Sequence, residues 1–487
     1  MDQRPSTRSS STSAAADGRS APRRRRRRRR QPEDHERDPD GDEEPEDRDG
    51  GPWAAPTDPN ATVVAADSIA RSRIDQDALR VVSRLQRRGF EAYLVGGCVR
   101  DLLLGLEPKD FDVATAAHPR QVKRVFRNGR IIGRRFKLVH VVYGDHIVET
   151  ATFRADPRDR QDEEDEEEDL LIVDDNEFGS AAEDARRRDF TINALFLDPL
   201  SHQIIDFVGG LEDLQRRTIR TIGDPRVRLA EDPVRILRAV KFSSRLSLSI
   251  DPPTWEAMCE LAEELERAAP ARLVEEILRL LRSGHAGDAF RQLDAVGALE
   301  VLVPELAEWL EWARQGHDDP DAAFRILDGL DLRTRRHGPP SVGLCLAALF
   351  AAPGMRVQTE RPVDRPLPDG EILRAMGDLL LRIGAPSRLS RRDLGHARRL
   401  LADQRRFRQP SSKRFRPLLF MRGAEFPETL ELFHLIVEAR DEEWELLERW
   451  QARFREALEV PEEDLEQIRS TRRRKRRRRR KGKSSSD

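Results

Sequence analysis

The sequence predicts an α+β protein, with a small mixed α/β unit over about 74–210 and a helical remainder reaching about 465. Charged ends expected to be disordered flank it. Three observations carry this. Short apolar runs punctuated by glycine lie between residues 90 and 153, apolar residues take helical spacing from Leu211 onward, and the charge is segregated into blocks. The chain has 487 residues, of which 36% are charged, well above the globular average of about 25%. Lys plus Arg is 87 and Asp plus Glu is 89, so the net charge of −2 hides the blocks. Three cysteines, Cys98, Cys259 and Cys345, are too few and too scattered for a disulfide framework or a cysteine-rich zinc module. They fit a reducing cytoplasm. Apolar runs fall short of the roughly 20 residues of a membrane span, and no secretory signal is expected.

Residues 1–65 read as an extension, with arginines Arg23–Arg30 followed by an acidic stretch from Glu33 to about Asp49. Such a segment buries too little apolar surface to offset the entropy of ordering. Folding is expected to begin near Ile74. Leu79, Val82 and Leu85 mark a helix that Gly89 stops, and Phe90–Val95 is a short strand ending at Gly96-Gly97. A helix over Val99–Leu104 and a strand over Asp110–Val113 follow. Next come a helix over Pro119–Phe126 and strands near Arg130–Ile132, Leu138–Tyr143 and His146–Phe153. The acidic run Asp162–Asp169 is a solvated loop, and Ala181–Leu195 has helical character. Clear helices are expected over Pro233–Leu246, Pro253–Ala268, Arg272–Leu281 and Pro427–Leu458, with breaks at 351–369 and 404–417. The tryptophans of Leu306–Ala313 and Leu430–Trp450 are expected in the core. The chain closes on a basic tail, Arg472–Lys483.

Chemistry concentrates in three places. Gly96 and Gly97 end a strand and open a helix, which lets backbone approach a phosphate, and Arg100 lies one turn into that helix. Asp110 and Asp112 share a strand face at i and i+2, the pairing that a hard divalent cation needs. Arg186-Arg187-Arg188-Asp189 precedes an apolar segment. The arginines suit a triphosphate, and Asp189 either completes a carboxylate cluster or holds a ribose hydroxyl. In Glu231-Asp232-Pro233-Val234-Arg235, Asp232 and Arg235 are helix neighbours that offer an acceptor and a donor edge to a nucleobase. Each of the last two alone reads as an ordinary helix face.

Together and in this order, Leu94–Gly105, Pro108–Val113, Arg187–Ala194 and Glu231–Arg235 resemble the class II nucleotidyltransferases, the family of bacterial poly(A) polymerases and CCA-adding enzymes. Ile131–Val141, with Gly133-Arg134-Arg135-Phe136 and His140-Val141, is similar to the poly(A) polymerase branch. The resemblance implies a polymerase-beta-like nucleotidyltransferase head over 74–210 and a neck over 211–285 that recognises base and RNA. It also implies a body and C-terminal RNA-binding region over 286–465 and a basic tail over 466–487.

The implied reaction adds AMP from ATP to RNA 3′ ends. Asp110 and Asp112 would hold Mg²⁺, with Asp189 as the third catalytic carboxylate and Glu149 as its rival, the latter read first as a strand-edge ion pair. Gly96, Gly97, Arg100, Arg154 and Arg188 would bind phosphates, and Asp232, Arg235 and Arg238 the adenine. Arg472, Arg473, Arg474, Lys475 and Arg476 would bind RNA, and RNA-decay factors are candidate partners. The alternatives are a CCA-adding enzyme that uses CTP and ATP, and a non-catalytic RNA-binding protein. Retention of both carboxylates of Asp-x-Asp disfavours the last.

Overall fold

The computed structural model describes residues 61–133, 137–155, 178–359, 368–384, 389–409 and 415–463, with Pro59 and Leu465. The Arg-rich and acidic extension up to Asp58, residues Arg134–Phe136, the acidic run 162–169 and the tail residues Arg472–Arg476 lie outside the described residues.

Eight strands form one sheet: β1 (Thr62–Ala65), β2 (Ala92–Val95), β3 (Asp112–Thr115), β4 (Gly129–Ile132), β5 (Leu138–Tyr143), β6 (His146–Thr152), β7 (Leu195–Asp198) and β8 (Gln203–Asp206). Their order in space is β1-β8-β7-β2-β3-β6-β5-β4. Within it β3 and β6 run parallel, and the neighbouring pairs are antiparallel. Helices α1 (Gln76–Gln86), α2 (Gly97–Leu103) and α3 (Pro119–Val125) alternate with the first strands. Asp75 caps α1 by accepting the Ala78 N–H at 2.8 Å. Val81, Val82 and Leu85 of α1 and Val122 and Phe126 at α3 share one core with Val113, Val139, Val141 and Val148 of the sheet. Strand alternation then sends Asp112, His140 and Glu149 to the opposite face.

Helix α4 (Ala181–Arg186) starts on a capping box of Ser180 and Glu183. Helices α5 (Gly210–Gln215), α6 (Pro225–Glu231), α7 (Arg235–Leu246), α8 (Pro252–Glu260), α9 (Pro270–Leu281) and α10 (Ala286–Ala295) lead into further helices up to Glu459. Among the described residues no helix is long and apolar enough to cross a membrane.

Several expectations are corrected. Folding begins before Ile74, because Thr62–Ala65 pairs with Gln203–Asp206 as an edge strand. β3 starts at Asp112, which leaves Asp110 in the preceding loop. The single helix expected over Ala181–Leu195 stops at Arg186. Asp189 then accepts the next backbone N–H, that of Phe190, at 2.8 Å, which competes with helix continuation. The chain passes through a 3₁₀ turn into β7, which is drawn into the sheet between β2 and β8. β8 and the short parallel pair Thr218–Ile219 with Ser249–Ile250 were not anticipated either. Pro427–Leu458 is two helices, Phe426–Arg440 and Trp444–Glu459, separated at Asp441 and Glu443 with φ of 55° and 65°. The turn lets Trp450 fold back, where its Nε1–H donates to the Phe407 carbonyl at 2.9 Å. The expected breaks hold a helix over Ala351–Thr359 and a 3₁₀ helix over Gln404–Arg408, the latter anchored by Phe407 stacked 4.3 Å from Phe433. Trp309 and Trp450 are core residues, as expected, and Trp312 is half-buried against the core, whereas Trp444 is 40% exposed, contrary to expectation.

Candidate active site

β2 and β3 pair so that Val95 faces Asp112. The chain leaves β2 through Gly96, whose φ of +73° is costly for any residue with a side chain. A Cβ there would also stand 3.0 Å from Arg188 Nη1. Helix α2 begins at Gly97, so the glycine turn and the first residue of β3 border the same space.

Asp112 projects into that space. β6 lies beside β3 with Val113 paired to Thr150, which brings Glu149 alongside Asp112. Lost hydration, then the charge of Glu149, push the Asp112 carboxyl up to about 6, with Asp110 adding to the rise and Arg188 opposing it. Among the described residues no cation lies within ion-pair distance of Asp112. Asp110, highly exposed in the loop, is 3.8 Å from Lys109. Glu149 lies on an interior strand rather than at the expected strand edge, and its cross-strand neighbour is His140, with Nε2 3.4 Å from Oε1. The negative charges of Glu149 and Asp110 thus both act on Asp112, against the charge of Arg188.

The facing side is built differently. Asp189 is buried, which opposes ionisation. Arg238 nevertheless donates twice to Oδ2 at 2.8 and 2.6 Å, Asn193 and the Phe190 N–H donate to Oδ1, and the carboxyl is held at about 2. Asn193 Oδ1 accepts from Arg100, whose guanidinium also donates to Asp101 at 2.8 and 2.6 Å. Arg100 is thus a buried brace beneath the glycine turn. Arg188 is held by Asp184 at 2.9 Å and reaches over Gly96. Arg154 is buried, with its backbone N–H on Asp184, and does not border the cleft.

Arg228 ties this side to the next helices. It donates to the Arg187 and Arg188 carbonyls at 2.7 and 2.9 Å and pairs with Glu231 at 2.6 Å. Arg235 shares Glu231 at 3.0 Å, whereas Asp232 pairs with Arg272 of α9 at 2.8 Å. Asp232 and Arg235 therefore border one cleft without being each other's ion-pair partner, contrary to the simple i,i+3 pair.

The cleft between the two sides has a volume of about 430 Å³. Gly96, Gly97, Arg100, Asp112, Arg188, Asp189, Asp232, Arg235 and Arg238 line it, together with Asn193, Phe242 and Arg272. Nine of the eleven catalytic and nucleotide-binding residues expected from sequence meet there; Asp110 sits outside the lining and Arg154 lies away from it. Of the three additions, Asn193 stands inside a quoted motif. Phe242 follows Arg235 and Arg238 on one face of α7, so helical spacing could have found it. Its ring lies 4.8 Å from the Arg100 guanidinium and 5.6 Å from that of Arg238. Nothing local marks Arg272, which arrives from a helix some forty residues on. A cleft with glycines, arginines and Asp112, a carboxylate without an ion-pair partner among the described residues, is suited to a metal-bound polyphosphate.

Residues 92–220 match the family model described as the poly A polymerase head domain, and 247–310 the one described as the probable RNA and SrmB-binding site of polymerase A. Poly(A) polymerase I of Salmonella typhi is 42% identical over 306 residues, 61% of this chain and 64% of the relative, so the chain spans just under two thirds of that relative's length. A CCA-adding enzyme of Lactobacillus helveticus is 39% identical over 230 residues, 47% of this chain and 55% of the relative. Among solved structures, the Bacillus stearothermophilus CCA-adding enzyme in complex with CTP is 26% identical with a TM-score of 0.57, over 78% of this chain and 81% of that one. With the motifs, the sheet and the cleft in place, the head and the region that follows it are similar to those of poly(A) polymerases and CCA-adding enzymes.

Proposed function

We propose that the protein is a template-independent polynucleotide adenylyltransferase that transfers AMP from ATP to RNA 3′ ends and releases pyrophosphate. The observation that carries this reading is the gathering of Asp110, Asp112 and Glu149 without a pairing cation on Asp112, beside a cleft rich in arginine. Oxygen ligands of this kind fit Mg²⁺, and an Asp112 carboxyl pushed up to about 6 by lost hydration and then by the charge of Glu149 is what such an ion would relieve. Asp110, Asp112 and Glu149 are the ligands we assign. Bound there, Mg²⁺ would supply charge neutralisation for the triphosphate and activation of the RNA hydroxyl.

The chain's own residues do the rest. The bare Gly96-Gly97 turn admits the triphosphate, and Arg188 lies over it. Asp189 acts as a positioning residue, because both its oxygens are occupied in fixing Arg238 and Asn193. Asp232 and Arg235 present acceptor and donor edges to the adenine, each held by a different neighbour. The relatives named poly(A) polymerase I, with 42% identity, support ATP and RNA as substrates over the CCA-adding alternative, which the 39% match to the Lactobacillus enzyme keeps in view. The test offers each nucleoside triphosphate singly, with Mg²⁺, on a generic RNA and on a tRNA lacking its CCA end. Long A-only tails on the generic RNA are expected. Addition limited to C and then A, confined to the tRNA, would assign the protein to the CCA-adding branch.

A further inference from the structure

The nucleotide cleft lies to one side of Asp112; none of its lining residues comes from β4, β5 or β6. On the other side the sheet continues as an open face. Cross-strand pairing sets Glu149 beside His140 and His140 beside Arg130, so a row runs from Asp112 across β6 and β5 to the edge strand β4. Flanking that row on the same face stand Ile147, 48% exposed, and Ile132, 43% exposed. The opposite face of β5 and β6 is core, through Val139, Val141 and Val148, while on the edge strand β4 Ile131 is exposed there. A half-buried sheet ordinarily turns polar side chains outward, so outward isoleucines point to a ligand. Arg124 on α3, and Arg127 and Lys137 in the segments that flank β4, are exposed and have no carboxylate partner among the described residues.

We propose that this open face of β4–β6 seats the RNA 3′ strand. The nucleotides next to the growing end lie over Ile132, His140 and Ile147, with Arg130 on their phosphates. This deepens the adenylyl-transfer reading and rests on it. In-line transfer brings the attacking hydroxyl to the phosphorus from the side opposite the leaving pyrophosphate. The cleft side of Asp112 is occupied by the triphosphate, so the hydroxyl must come over Glu149. Single-strand sites combine surfaces for bases with cations for the backbone, and both are present here in continuity with the carboxylates.

The test uses the full chain and its variants Ile132→Asp, Ile147→Asp and Arg130→Glu, all at exposed positions, with Ile147→Val as the conservative control. Two readouts are taken, extension of an oligo(A) primer and fluorescence anisotropy of the labelled primer without ATP. The expected result is a rise of about tenfold in the KM and Kd for RNA in the Asp and Glu variants. The KM for ATP should stay within about twofold, and Ile147→Val should keep more RNA affinity than Ile147→Asp. RNA affinity unchanged in all three would overturn the proposal. So would variants that alter only self-association, which would assign the face to a second copy of the chain. A wild type that binds the primer through this face but extends nothing would leave the interface standing and reject the adenylyl-transfer reading.

Discussion

On the sheet side of the cleft, Asp112 stands beside Glu149 and Asp110 with no ion-pair partner among the described residues, and its carboxyl is pushed up to about 6. On the helical side, Asp189 is more deeply buried, yet Arg238, Asn193 and a backbone N–H hold it at about 2. The same side chain meets two fates because one site has donors built around it and the other has carboxylates. A paired buried carboxylate supports the fold, whereas an uncompensated cluster opposes folding and is retained for what it binds. The glycine turn joins the two. Arg188, anchored by Asp184, reaches over Gly96 and its charge acts on Asp112, while Arg100 braces the turn through Asn193 and Asp101.

The largest effect that would break this contrast is catalytic. Asp112→Asn should lower the turnover of RNA extension by at least about a thousandfold, several kcal/mol of transition-state stabilisation. Far-ultraviolet circular dichroism should be unchanged. Retention of more than about a tenth of wild-type turnover would reject Asp112 as a metal ligand.

The next effect is on stability and its pH dependence. Asp189 has a folded pKa below its unfolded one, so its contribution is complete above about pH 4 and lost as the pH falls through about 2. Asp189→Asn should cost about 2 kcal/mol at pH 7, read from urea unfolding, and the gap from wild type should close toward pH 2. A gap that stays constant down to pH 2 would mean that the Arg238 pair contributes little.

Smaller is the effect on base recognition. Arg272 holds Asp232, and Arg272→Ala should raise the KM for ATP about tenfold and narrow the preference for ATP over CTP, since one charge-assisted hydrogen bond is lost. Steady-state kinetics with each nucleotide checks this, and a uniform loss of turnover without a KM change would count against it. Smallest is the tail. Removing residues 470–487 should weaken RNA binding about fivefold near 0.15 M salt and flatten its salt dependence, with the KM for ATP unaltered. An unchanged salt slope would make the tail idle in RNA binding.

The residues whose chemistry is local were readable before the fold was known. Gly96-Gly97 marks a turn because few other residues adopt that backbone, and Asp110-x-Asp112 with the Glu231–Arg235 motif lies within a few residues of the helix or strand that positions it. What escaped depends on packing between distant segments. Leu195–Asp198 has an apolar pattern that suits a helix or a strand, and only its place between β2 and β8 decides the matter. Thr62–Ala65 is a strand because Gln203–Asp206 offers it an edge. Asp189 could be given chemistry from the sequence, but its task depends on Arg238, 49 residues away. Glu149 was visible only as an acidic residue on an apolar strand. Its closeness to Asp112 is set by the parallel pairing of β3 and β6, which follows neither a hairpin nor a short motif.

The contrast between the two carboxylates is tested most directly by comparing Asp112→Asn and Asp189→Asn in urea unfolding at pH 7 without divalent cations. Asp112 has a folded pKa above its unfolded one, so its contribution to stability is lost as the pH rises through about 6, and at pH 7 the ionised group is a burden. Allowing for solvent screening, Asp112→Asn should match the wild type or exceed it by about 1 kcal/mol. Asp189→Asn should fall below it by about 2 kcal/mol. Equal losses in both variants would contradict the distinction and make Asp112 a structural partner rather than a carboxylate held ready for a metal.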